Sequence, residues 1–96
     1  MNYPTKVNLK AVRQFEESTG KSFNELATGN VMNEPVEIQL RMLHAFVYAA
    51  DSSVRWAKFR EEMDECENAQ EYLVPLRDCL KKWFGAGTAG ESAQPS

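Results

Sequence analysis

The chain is 96 residues long, with a net charge of −3 from 11 Lys and Arg against 14 Asp and Glu, and 43% of its residues are hydrophobic. One small domain follows from that length, burying about 60–65% of its unfolded surface and stable by on the order of 5 kcal/mol. The composition is that of a folded chain; its basic residues are scattered among acids, against a phosphate-binding stripe, and its longest apolar run, Ala45 to Ala50, is far short of the roughly 20 residues of a membrane span.

Residues 1–7 contain Pro4 and no periodicity, which predicts a flexible or extended lead-in without a signal peptide. Asn8 then caps a first helix whose Leu9, Val12, Phe15 and Thr19 share a face, and Gly20 ends it by taking the left-handed conformation. Ser22 followed by Glu25 is a capping-box pattern for a short second helix with Phe23, Leu26 and Ala27 on its apolar side, closed by Gly29-Asn30. One and a half turns do not hold alone, so Phe23 and Leu26 must dock on the remainder.

Pro35, at an expected first helical position, opens a third helix. Between Val36 and Ala50 apolar side chains cover almost its whole circumference, so it is the central core helix. Asp51-Ser52-Ser53 is a turn and cap cluster, predicting a fourth helix from near Val54 with Trp56, Phe59, Met63 and Cys66 as one narrow stripe. Asn68 and Glu71 form a second cap pair before the series Tyr72, Leu73, Leu76, Leu80, Trp83, Phe84. Pro75 interrupts that series, so the helix either begins close to Val74 or kinks there, and Gly85 stops it. Residues 85–96, three Gly, two Ser and a Pro among small residues, read as a disordered tail or linker. The expected architecture is an all-α bundle of about five helices around a central apolar one, spanning residues 8–84.

Chemistry-bearing residues are few. His44 is the one histidine, set in the core helix with no nucleophile motif around it, and reads as a packed structural residue. Glu61, Glu62, Asp64, Glu65 and Glu67 lack the spacing and glycine of a calcium loop. They read as a solvated face neutralised by Lys58 and Arg60, with a basic patch on a partner as the alternative. Gly20-Lys21-Ser22 is not a phosphate loop, because no earlier glycine stands at the required spacing. Cys66 and Cys79, 13 residues apart, match neither a redox pair nor a metal site and read as reduced thiols. No catalytic, cofactor-binding or metal site is expected. Trp83 and Phe84, beside the tail, are the first candidates for a partner contact, followed by Tyr48 and Trp56.

The stretch from Leu9 to Leu26 contains Phe15-Glu16, then Thr19-Gly20-Lys21-Ser22-Phe23. This pattern resembles the tail assembly chaperones of long-tailed bacteriophages, in which a helix ends in Phe-Glu-x-x-Thr-Gly-Lys-Ser-Phe. The apolar helix around Arg41 to Ala50 and the ending Lys81-Lys82-Trp83-Phe84-Gly85 also fit, so the resemblance covers roughly residues 8 to 85. It implies that Phe15, Glu16, Gly20, Lys21, Ser22 and Phe23 are structural motif residues. It further implies a protein that acts in the host cytoplasm, coats the aggregation-prone tape measure protein, brings tail tube subunits to it and is absent from the finished virion. Many such chaperones are also made in a longer, frameshifted form, and a tail like residues 85–96 would suit the junction. The chain departs from relatives that open with a β-hairpin, having almost no room before Asn8.

A tail assembly chaperone binding the tape measure protein, tail tube subunits or both is therefore the expected function, with self-association open. The alternative is a structural virion subunit, such as a tail terminator or head–tail connector. A DNA-binding regulator lacks a recognition helix rich in Arg, Lys, Asn or Gln, and an enzyme lacks a nucleophile–base pair.

Overall fold

Helix α1 (Leu9–Thr19) begins where Asn8 leaves helical geometry and its Oδ1 accepts the Ala11 N–H at 3.1 Å. It ends where Gly20 turns left-handed at φ 72° and donates its N–H to the Glu16 carbonyl at 2.8 Å. The computed structural model describes residues 3–29 and 31–85. Helix α2 (Phe23–Thr28) is capped by Ser22, whose Oγ accepts the Glu25 N–H at 3.4 Å, and closes through Gly29; the expected Asn30 lies outside the described residues. A 3-10 turn over Val31–Asn33 follows, for which the sequence pattern held no signal, and it buries Val31.

Helix α3 (Val36–Ala50) is the axis of the bundle, with all of Leu40, Met42, Leu43, Ala45, Phe46 and Val47 buried. Pro35 stands just before its first residue, as a cap, one place earlier than expected. Its carbonyl accepts from Ile38 and Gln39 at 2.9 and 3.1 Å. Helix α4 (Trp56–Asp64) starts two residues later than the Val54 expected. The delay has a local cause. Asp51 Oδ1 takes both the Ser53 N–H at 3.0 Å and the Ser53 hydroxyl at 2.6 Å, closing a turn that must finish first.

Helix α5 (Gln70–Gly85) runs through Pro75, so of the two expectations, a start near Val74 or a kink, the late start is excluded. Its start is held twice: Asn68 Oδ1 accepts the Gln70 N–H at 2.9 Å, and Glu71 Oε2 accepts the Glu67 N–H at 3.2 Å. Those bonds, with Leu76 and Cys79 buried on α3's side, offset the hydrogen bond that Pro75 cannot donate. Residues 86–96, where the tail was expected, lie outside the described residues.

Five α-helices thus make an all-α bundle around α3, with α1 packed most extensively on it, then α5 and α4. Two features at and before the start of α1 differ from what periodicity alone suggests. Leu9 was placed on the inner face of α1, yet it is 56% exposed, because Ala11 takes the buried position beside Val12 and Phe15. The lead-in, expected to be flexible or extended, is non-helical and docked where it is described: the Lys6 N–H reaches the Phe46 carbonyl at 3.0 Å and Val7 packs against the core. Tyr3 lies 5.6 Å from the Phe59 ring and donates its hydroxyl to the Glu62 carboxylate. Burial and that carboxylate push the Tyr3 pKa up to about 12. An extended segment can pack without helical periodicity, which is why the pattern did not reveal it.

Candidate functional site

The motif residues form the corner between α1 and α2. Phe15 and Phe23 are fully buried and meet edge to face at 5.8 Å. Phe23 also meets Phe46 of α3 and Trp83 of α5 edge-on, each at 6.0 Å, so one side chain on a six-residue helix ties three others together. The Glu16 carboxylate closes the corner: its Oε2 accepts the Phe23 N–H at 3.0 Å, satisfying a donor that the start of α2 leaves open. Thr19 Oγ1 donates to the Phe15 carbonyl at 2.8 Å and accepts the Lys21 N–H at 3.2 Å. Phe15, Glu16, Gly20, Ser22 and Phe23 therefore each shape this corner, while the Lys21 side chain is exposed.

On the other side of α3, about 200° around the helix from Phe46, His44 is buried at 3% exposure. Its Nε2 lies 2.7 Å from the Val54 carbonyl, which can only accept, so Nε2 carries the proton. Tyr48, Trp56 and Phe59 surround the imidazole at 5.6, 5.5 and 5.2 Å. Burial lowers its pKa most, the Arg41 charge adds to the fall, and the Val54 bond opposes it. The Arg41 guanidinium lies 4.0 Å over the Trp56 ring and covers one of its faces. Tyr48 and Trp56 are half-buried members of this histidine box.

Trp83 belongs to the Phe23 cluster instead, half-buried. Phe84, one residue on, lines a shallow recess of about 340 Å³ on α5 with Arg77, Leu80 and Lys81. Arg77 with Lys81, and Leu80 with Phe84, are each four residues apart, so two half-buried apolar side chains form a row beside a row of two exposed cations. The four aromatic candidates accordingly occupy three environments and do not form one surface. The Leu80–Phe84 pair was visible in the sequence as part of an apolar series. That it lines a surface recess beside Arg77 and Lys81 was not, because the series gives the stripe without saying how much of it the bundle covers.

The acidic residues Glu61, Glu62, Asp64, Glu65 and Glu67 are all exposed, with the buried Met63 and the half-buried Cys66 set among them, and Arg60, expected to neutralise them, reaches Glu37 of α3 at 3.3 Å. Among the described residues no group of three or more His, Cys, Asp or Glu could hold a metal ion. Cys66 and Cys79 are free thiols; burial is the first cause that pushes both pKa values up, which leaves them poor nucleophiles at neutral pH. No helix among the described residues is long and apolar enough to cross a membrane. Comparison with protein-family models, curated proteins and solved structures finds no match to this chain.

Proposed function

We propose that this chain is a tail assembly chaperone of a long-tailed bacteriophage, acting by reversible protein binding in the host cytoplasm and without cofactor or catalysis. The observation that carries the reading is the α5 recess. Leu80 and Phe84 present apolar surface beside Arg77 and Lys81, and neither cation has an ion-pair partner among the described residues. Such a strip suits an amphipathic partner helix whose apolar stripe is bordered by Asp or Glu. The resemblance of Phe15 to Phe23 supplies the class of partner: the tape measure protein, with tail tube subunits brought to it.

Co-expression with the tape measure protein encoded nearby tests this. The soluble fraction of that protein should rise with the intact chain and fall back when Leu80→Glu places a charge in the recess. No gain with the intact chain would refute the chaperone reading. Mass spectrometry of purified virions should lack the chain; finding it there in stoichiometric amount would establish the structural-subunit alternative.

A further inference from the structure

We propose a second docking surface, opposite in charge to the first: a carboxylate-rimmed apolar recess where α3, α4 and α5 meet, which takes a partner segment carrying one large apolar side chain beside Lys or Arg. The recess measures about 400 Å³, room for a side chain such as Leu, Met or Phe. Its floor is Leu40 and Met63, whose apolar surface is already part of the core. Val36, at the start of α3, forms one wall and is 54% exposed, with Leu9 one of two large hydrophobic residues more than half open among the described residues. Tyr72 forms the facing wall, and its hydroxyl donates to Gln39 Oε1 at 3.2 Å, which holds the ring in place before any partner arrives.

The charge at the rim selects the occupant. Asp64 and Glu67 line the recess, and neither side chain has an ion-pair or hydrogen-bond partner among the described residues. The neighbouring carboxylates are committed elsewhere, Glu37 to Arg60 at 3.3 Å and Glu71 to the Glu67 N–H at 3.2 Å. Two unneutralised carboxylates beside an apolar hollow repel phosphate-bearing partners and favour a cation placed next to the inserted side chain. Tyr72 and Phe84 are 12 positions apart on α5, about 18 Å along its axis. The two recesses can therefore be occupied together. The proposal stands independently of the tail-assembly reading, since it uses none of the motif residues and neither Arg77 nor Lys81.

The test uses the full chain and three short fluorescent peptides, read by anisotropy at low and moderate salt. One has a central Phe flanked by Lys, the second the same Phe flanked by Glu, and the third Ser in place of Phe between the Lys residues. The Lys–Phe peptide should bind, weaken as salt rises, and outcompete both others. Val36→Asp should weaken it roughly tenfold, and Asp64→Asn combined with Glu67→Gln should weaken it several-fold and flatten its salt dependence. Leu80→Glu should leave it unchanged, which separates failure of this surface from failure of the α5 recess. Circular dichroism checks that each variant keeps its helices; Val36, Asp64 and Glu67 are exposed, and the conservative amide pair decides the matter if Val36→Asp unfolds. Equal binding of the Ser peptide, absence of binding, or insensitivity to both substitutions would overturn the proposal. So would sedimentation showing self-association that Val36→Asp abolishes, which would make a second copy of the chain the occupant.

Discussion

Replacing Phe23 by Ala tests whether the corner between α1 and α2 is anchored by one side chain. Phe23 is fully buried against Phe15, Phe46 and Trp83, with ring centroids at 5.8, 6.0 and 6.0 Å. Truncating a buried Phe to Ala costs about 3–5 kcal/mol, from lost transfer energy and the cavity left behind. The cost should lie at the upper end, because three edge-on pairs are lost together and each contributes about 0.5–1.5 kcal/mol beyond its area. A chain of this size is stable by on the order of 5–14 kcal/mol at roughly 0.05–0.15 kcal/mol per residue, so the variant loses a third of its stability or more. Phe23→Leu keeps most of the volume and should lose about 1–2 kcal/mol. Urea unfolding followed by circular dichroism and by tryptophan emission measures both, in a Trp56→Phe background that leaves Trp83 as the reporter beside Phe23. The midpoint should fall with the slope unchanged. A loss below about 1 kcal/mol for Phe23→Ala would refute the account of the corner, since the same truncation at a buried, well-packed site costs several times that.

Three other outcomes follow from single residues. Gly20→Ala should cost about 1 kcal/mol through its left-handed φ of 72° alone, since a Cβ there meets nothing within 4 Å, and Gly20→Asn should cost less; thermal unfolding reads both. His44 should titrate below its ordinary 6.5, and as the sole histidine its ring-proton NMR signals report this without ambiguity. Because the folded state binds that proton more weakly than the unfolded state, stability is level above pH 6.5 and declines as pH falls below it, until the folded pKa is passed. His44→Gln should remove that decline in a series of urea midpoints, separately from the carboxylates that titrate at lower pH. Pro75→Ala should raise stability by about 1 kcal/mol by restoring a donor to the Glu71 carbonyl, less the entropy the unfolded chain regains; a lowered midpoint would show that the ring's own packing outweighs the missing bond.

Local chemistry was legible without coordinates. Asn8, Gly20 and Ser22 act through neighbours at most four residues away, so the ends of α1 and the start of α2 could be placed by residue type, and the all-round apolar α3 could be recognised as the axis. His44 could be read as structural from the absence of a motif, but not as the centre of a box made by Tyr48, Trp56, Phe59 and the Val54 carbonyl. All but Tyr48 of those partners arrive from α4 and the turn before it. Glu16 likewise stood only as a motif residue implied by the resemblance, without its partner, and its bond to the Phe23 N–H exists because Gly20 reverses the chain.

Tertiary packing decided what composition and period leave open. A pattern of spacing tells which side chains lie on one face of a helix, whereas exposure depends on how much of that face a neighbour covers. Leu9 and Val36 were both apolar at plausible core positions and both remain more than half exposed. The docked lead-in at Tyr3 to Val7 and the continuous helix through Pro75 were won by contacts distant in sequence. Both candidate docking surfaces belong to this second category. Arg77 with Leu80 and Phe84, and Val36 with Met63 and Tyr72, are ordinary members of amphipathic helices until the bundle closes and leaves each set lining a surface recess that also carries charge of one sign, Arg77 and Lys81 at the first, Asp64 and Glu67 at the second.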